Sequence, residues 1–359
     1  MPLDRPGRFI VQWHITDRCP SRCRHCYSAG DTRPEPDLAA LLVAWEGIQG
    51  LIARLQTMSR RPVRVVLTGG EPLASPAFWD IAARVVKLGA TARGPVDFAV
   101  LTSGQGIDAS SASALAALGP AFVQISLDGG RDCHNALRGP GRFEAAIQAV
   151  ECLARVKTRT LLAFTAHGGN FREIATVARL GRELKVNKVW ADRFVPLAAR
   201  QDHTAPLPLT PEQTKEFCNL LHAASTGKAT GLAAVWNRLR AKHSARTLIA
   251  AERGLQFLVA GGRPYACDAG RRLIALLPDG NVLPCRRLPL VAGNLHQAPL
   301  HSIFAASPLL VSLRTRRHGV ECSRCAYRTG CRGGSRCQAY ARHATPFARD
   351  PGCWLAFAP

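Results

Sequence analysis

The sequence lacks what a chain sent into or across a membrane carries. Residues 1–8 hold no apolar signal core, and no unbroken run of about 18 apolar residues occurs. A cytoplasmic protein with no membrane partner is expected. Acidic residues are scarce: 25 Asp and Glu stand against 47 Lys and Arg, a formal net charge of +22. A basic surface favours an acidic partner, whereas a genome that uses arginine codons freely gives the same excess with no partner at all. No block of five or more consecutive basic residues appears, so a nucleic-acid tail is not indicated. Internal repeats and low-complexity tracts are also missing.

Cysteine is plentiful, at 13 residues. An odd number without a signal peptide argues against a disulfide framework. In a reducing compartment such cysteines point to metal ligation. The 359 residues, 47% of them hydrophobic, allow one large domain and a smaller one.

Short apolar runs alternate with segments of helical spacing up to about Pro196. Strands are expected at Phe9–Thr16, Val63–Leu67, Val96–Leu101, Phe122–Leu127, Thr160–Thr165 and Lys188–Val195. Helices are expected at Leu38–Met58, Phe78–Leu88, Ala109–Leu118, Phe143–Val156, Phe171–Leu184 and Pro211–Ala224. Near-continuous apolar strands separated by helices imply a parallel sheet covered by helices. Six such units predict an α/β fold of the partial (β/α)6 TIM-barrel type. Chemistry in such folds sits at the C-terminal ends of the strands. The unusual residues all fall there.

The first strand leads into Cys19, Cys23 and Cys26, spaced C-x3-C-x2-C. Three thiolates on one loop can hold three irons of a cubane and leave the fourth open, the mark of a catalytic rather than a structural site. A zinc knuckle with its fourth ligand elsewhere fits that spacing too. The second strand ends in Gly69-Gly70-Glu71-Pro72, the third in Thr102-Ser103-Gly104 and the fourth in Ser126-Leu127-Asp128-Gly129.

From Arg263 the texture changes. Ile274–Cys285 reads as a hairpin turning at Asp279-Gly280, and a helix is expected at His301–Leu313. A loop-like, cysteine-dense tail follows, with Cys322, Cys325, Cys331, Cys337 and Cys353. So few large apolar residues need metals or cross-links to hold shape. The expected division is 1–205 for the barrel, 206–262 for a mostly helical linker and 263–359 for the cysteine-rich domain.

The cysteine loop with His25, the Gly-Gly-Glu-Pro turn and the Ser-Leu-Asp-Gly turn together resemble the signature of radical S-adenosylmethionine (radical SAM) enzymes. The resemblance implies a 4Fe–4S cluster on Cys19, Cys23 and Cys26 that binds S-adenosylmethionine and generates a 5′-deoxyadenosyl radical. It places His25, Gly69, Gly70, Glu71 and Ser126 beside that cofactor. It also implies an electron donor of the flavodoxin or ferredoxin kind.

The tail resembles the SPASM domain, an auxiliary-cluster domain found in peptide-modifying members. Cys322, Cys325, Cys331 and Cys353 would hold one auxiliary 4Fe–4S cluster. Cys267, Cys285 and Cys337 would hold the other, with no fourth ligand named. The pattern departs at Cys331 to Cys337, which is C-x5-C where the family has C-x3-C. One or two zinc ribbons are the competing account of the tail. Of the remaining cysteines, Cys152 and Cys218 are expected in the core. Cys133 is a candidate hydrogen-atom donor near the pocket.

These features predict an oxidoreductase that modifies a ribosomally made peptide by cross-linking, epimerisation or another oxidation at an unactivated carbon. Residues 1–8 are few for a peptide-recognition segment, which weakens that expectation. Radical chemistry on tetrapyrrole side chains of the haem pathway is the main alternative. Sulfatase maturation is a further one. A zinc-ribbon nucleic-acid binder belongs to another class and leaves the two turns unexplained.

Overall fold

The computed structural model describes residues 7–28, 33–197, 207–226, 247–250, 254–315 and 320–355. Six parallel strands form its centre: Phe9–His14 (β1), Val63–Thr68 (β2), Val96–Thr102 (β3), Val123–Ser126 (β4), Thr160–Ala166 (β5) and Lys188–Arg193 (β6). Between them lie helices Leu38–Ser59 (α1), Phe78–Thr91 (α2), Ala109–Leu118 (α3), Arg131–Arg138 (α4), Arg142–Arg155 (α5) and Ile174–Glu183 (α6). Pro211–Thr226 (α7) follows. The strands lie in sequence order, as repeated right-handed crossovers require. This is the expected partial TIM-type barrel.

Four further strands extend the sheet. Leu248–Ala250 (β7) pairs parallel with β6. At the opposite edge Leu273–Leu276 (β8) pairs parallel with β1, so Ile10 faces Leu273 and Trp13 faces Leu276. Asn281–Leu283 (β9) returns antiparallel to β8, and Gly293–Asn294 (β10) closes that edge. The hairpin therefore turns where expected and continues the barrel sheet.

Strand alternation sorts β1 into two faces. Phe9, Val11, Trp13 and Ile15 are fully buried against the helices, and Trp13 stacks on Trp45 of α1 at 6.3 Å. Gln12 and His14 point to the other face, inside the barrel. Asp37 caps α1 by accepting from the Ala40 N–H at 2.8 Å. By length and composition the stretch Leu38–Thr57 of α1 could cross a bilayer. Here Leu41, Trp45, Ile48, Leu51 and Ile52 are buried in the core, and Glu46 and Arg54 are exposed.

Several elements differ from expectation. α4 was not anticipated, because Arg131–Arg138 carries little apolar periodicity and buries His134 and Leu137 instead. The expected helix at His301–Leu313 is two, Leu300–Ala306 and Pro308–Thr315. Pro308 has no N–H to continue the first helix, and it suits the first position of the second. Within 231–262, expected to be mostly helical, β7 is a strand and only Phe257–Ala260 is helical; residues 231–246 and 251–253 lie outside the described residues. The tail is not all loop: Arg328–Cys331 and Arg336–His343 are helical.

Candidate active site

The cysteine loop is held against the C-terminal rim by backbone contacts that exclude side chains. Gly70 donates to the Thr16 carbonyl at 2.9 Å, and Glu71 to the Arg18 carbonyl at 2.8 Å. A Cβ on Gly69, whose φ is +133°, would lie 2.1 Å from the Thr16 oxygen; one on Gly70 would lie 2.3 Å from the Arg18 oxygen. Only glycine admits this approach. The two N–H groups serve the loop, while the Gly69 and Gly70 carbonyls accept no hydrogen bond from any described residue.

Glu71 is buried and points away from the cysteines into the next strand end. Its carboxylate accepts from Thr102 Oγ1 at 2.6 Å, from the Ser103 N–H at 2.8 Å and from Ser103 Oγ at 2.6 Å. Burial raises its pKa, and these three donors oppose that rise. Glu71 therefore splices the second turn to the third.

Asp128 is the hub of the fourth turn. Its backbone N–H donates to His134 Nδ1 at 3.0 Å, and its carbonyl accepts from Asn170 Nδ2 at 3.0 Å. Its carboxylate accepts from the Thr165 N–H at 2.9 Å and from Arg138 Nε at 2.5 Å. Burial would push this carboxyl up; Arg138 and two histidines outweigh burial and hold it at about 2. Arg138 in turn reaches Cys23 Sγ at 3.8 Å and His25 Nε2 at 3.3 Å. His25 Nε2 also lies 3.4 Å from Asp128. Burial first, with Arg138 adding, lowers the His25 pKa to about 3, so the ring is neutral. Its Nδ1 is buried without a partner. An orphaned imidazole nitrogen beside three cysteines fits a resident polar or metal-bound group at this rim.

Cys133 lies under the same turn, and its thiol donates to the Asp128 carbonyl at 3.5 Å. Burial, then Glu173 and Asp128, raise its pKa to about 11. Ser126 is half-buried at the end of β4. Cys152 and Cys218 are buried, as expected of core residues.

The tail cysteines separate into two groups. Cys322, Cys325, Cys331 and Cys353 line one cavity, with Leu255, Phe257 and Tyr327 among its other walls. Cys267, Cys285 and Cys337 meet in a different apolar cluster with Leu273 and Leu288. Burial, then Cys285 and Cys267, push the Cys337 thiol up to about 11, with Arg287 opposing. Among the described residues no three Cys, His, Asp or Glu side chains converge as one metal ion requires.

Sequence reasoning did not anticipate Arg138 as the link between Asp128 and Cys23, nor Gln12, whose Oε1 is 3.8 Å from Cys285 Sγ. The signal for the first was an arginine close behind the Ser-Leu-Asp-Gly turn, which reads as a candidate contact for substrate or cofactor and not as a link within the rim. The second is a polar residue inside an apolar strand.

Residues 13–181 match the radical SAM superfamily, and residues 267–326 match the SPASM iron–sulfur cluster-binding domain. The chain is a radical SAM protein with a SPASM domain. Two features of this radical SAM chain lie outside the matched SPASM stretch: Cys331 and Cys353 follow it in sequence yet share the cavity of Cys322 and Cys325. Among curated relatives of this radical SAM chain, pre-heme d1 synthase of Dinoroseobacter shibae is 26% identical over 97% of this chain and 87% of its own length. Mycofactocin maturase MftC of Mycobacterium ulcerans is 27% identical, covering 98% and 88%. PqqA peptide cyclase of Streptomyces rochei is 28% identical, covering 98% and 90%. Streptococcus suis SuiB bound to S-adenosylmethionine shares the fold with a TM-score of 0.72 at 16% identity, over 98% of this chain and 78% of that one.

Proposed function

We propose that this protein is a radical SAM maturase that modifies a ribosomally made peptide at an unactivated carbon, by cross-linking, epimerisation or an oxidation. The observation that carries the radical assignment is the rim itself: an open three-cysteine loop locked by Gly69 and Gly70, with Arg138 and a partnerless His25 nitrogen beside it. In this reading Cys19, Cys23 and Cys26 hold a 4Fe–4S cluster. When bound, cluster and S-adenosylmethionine supply the electron and the sulfonium whose cleavage gives the 5′-deoxyadenosyl radical.

The protein's own residues do the rest. The carbonyls of Gly69 and Gly70, which accept from no described residue, suit the methionine ammonium of the cofactor. Glu71 fixes that turn on β3. His25 and Ser126 are the further cofactor contacts. Arg138 balances negative charge at Cys23 and is itself anchored by Asp128. Cys322, Cys325, Cys331 and Cys353 would hold one auxiliary cluster; Cys267, Cys285 and Cys337 would hold the other. Burial raises the thiols of Cys267, Cys322, Cys331 and Cys337, so loading must displace their protons. Reducing equivalents would come from a flavodoxin or ferredoxin in the cytoplasm, and the basic surface favours an acidic substrate.

Peptide oxidation is supported by the likeness to mycofactocin maturase and PqqA peptide cyclase. Tetrapyrrole chemistry is the second reading, favoured by the likeness to pre-heme d1 synthase and to Fe-coproporphyrin III synthase of Methanosarcina barkeri. The test is reductive cleavage. Anaerobically reconstituted, reduced protein should form 5′-deoxyadenosine from S-adenosylmethionine, and a variant with Cys19, Cys23 and Cys26 all replaced by Ala should not. Equal product from both would remove the loop as the radical-generating site. Mass change in a co-expressed precursor peptide, against that in added tetrapyrrole, separates the two substrate readings.

A further inference from the structure

Inside the barrel, polar residues from three separate segments meet between the cysteine loop and Cys285. His14, at the end of β1, is 1% exposed, and neither ring nitrogen has a hydrogen-bond partner. Its ring stands edge-on to Tyr27 with centroids 6.1 Å apart. The Arg286 guanidinium lies 5.5 Å from the centroid of the same Tyr27 ring, and its Nη1 donates to Thr68 Oγ1 at 3.4 Å. Tyr27 follows Cys26 directly in the chain and Arg286 follows Cys285, so this contact brings the two cysteine sets to one place.

The neighbouring arginines are matched with carboxylates. Arg287 pairs with Asp192, Arg33 with Asp17 at 2.6 Å, and Arg138 with Asp128 at 2.5 Å. Arg286 has no carboxylate within ion-pair reach among the described residues. A guanidinium with no counter-ion among the described residues, next to a buried imidazole whose nitrogens are unused, is a donor set for a carboxylate. A buried polar ring left unpaired is otherwise costly, so the arrangement points to an occupant.

We propose that Arg286, with His14 and Thr68, is the substrate anchor of this enzyme and takes a carboxylate, fixing the substrate between the cysteine loop and Cys285. This rests on the radical SAM reading above and names the substrate chemistry within it. An acidic side chain or C-terminus of a peptide and a propionate of a tetrapyrrole both present that group. The Tyr27 ring packs beside the guanidinium, whose remaining N–H donors are left for the ligand.

The test is binding to the cluster-loaded protein with S-adenosylmethionine and without reductant, so that no turnover enters. Two probe pairs are titrated: coproporphyrin III against its tetramethyl ester, and a Glu-rich labelled peptide against its Gln counterpart. The carboxylate member of one pair should bind at least about tenfold tighter, the scale of a hydrogen bond to a charged group. Arg286→Gln should abolish that preference, Arg286→Lys should keep part of it, and His14→Gln should reduce it. The pair that discriminates identifies the source of the carboxylate. No preference in either pair, or a preference that survives Arg286→Gln, overturns the proposal. Should Arg286→Gln lose iron, His14→Gln carries the decision, and an undiminished preference there overturns it equally. Wild-type protein that binds selectively but forms no 5′-deoxyadenosine sinks the radical reading and leaves the anchor standing.

Discussion

Arg193 and Asp350, 157 positions apart, form a buried two-point ion pair at 2.9 and 2.5 Å. Arg193 ends β6 of the barrel; Asp350 lies three residues before Cys353. The same carboxylate accepts from the Ser335 and Gly352 N–H groups, each at 2.9 Å. One side chain thus shapes the tail around its cysteines and fastens it to the barrel.

Asp350→Ala should therefore release the tail. Removing one partner of a buried pair costs about 3–5 kcal/mol, because the other charge stays buried and unpaired. The thermal midpoint of the reconstituted protein should fall, and iron should drop by one cluster, that of Cys322, Cys325, Cys331 and Cys353. Arg193→Ala should do the same, and the double variant should lose less than the sum of the two. Full iron with an unchanged midpoint in Asp350→Ala would show that the pair is incidental.

Arg138→Gln should act on the cluster electronically as well as structurally. A hydrogen bond to a ligating sulfur stabilises the reduced state. Without it the midpoint potential of the N-terminal cluster, followed by EPR, should move to more negative values. S-adenosylmethionine cleavage should slow by about 10- to 100-fold, as for outer-shell changes at other metal sites. An unmoved potential would confine Arg138 to packing.

Glu71→Ala leaves Thr102 Oγ1, Ser103 Oγ and the Ser103 N–H without their acceptor. Each stranded donor costs about 1–3 kcal/mol where water cannot replace it. The turn carrying Gly69 and Gly70 should loosen, and the KM for S-adenosylmethionine should rise more than kcat falls. A change in kcat alone would place Glu71 in the chemistry instead of the turn.

Acid should weaken the fold through its buried histidines. Burial first, with Arg286 and Arg33 adding, lowers His14 to about 3; burial and Arg138 lower His25 to about 3 as well. An unfolded histidine takes up a proton near pH 6.5, whereas these folded ones do not until about 3. The folded state binds fewer protons, so stability is complete above about 6.5 and is lost as pH falls towards 3. The thermal midpoint should drop between pH 7.5 and 5.5 at constant iron content, and His14→Gln should drop less. Parallel curves would rule out His14 as a contributor.

Iron content separates the cysteine sets. Loaded wild-type protein should carry close to three 4Fe–4S clusters. Replacing Cys322, Cys325 and Cys331 by Ala, or Cys267, Cys285 and Cys337, should each remove one cluster's iron and spare the others. Stoichiometric zinc and a colourless protein would instead point to ribbons.

The sequence by itself determined the order of strands and helices in the barrel, the turns at the strand ends and the hairpin at Asp279-Gly280. These are local consequences of apolar period, glycine and short-range spacing, and they need no knowledge of what lies across the sheet. Tertiary structure alone decided which distant residues meet. The resemblance to the SPASM pattern already grouped the tail cysteines, whereas Asp350 meets Arg193 and Cys285 meets Gln12 only because the tail folds back onto the barrel. β7 and α4 escaped notice because a three-residue strand and a helix with two buried side chains carry too little apolar pattern. Arg138, Arg286 and Arg287 look alike in a chain with 47 basic residues. Packing sets Arg138 against Asp128 and Arg287 against Asp192, and it leaves Arg286 without a carboxylate among the described residues, because an ion pair is a matter of ångströms in space and not of distance along the chain.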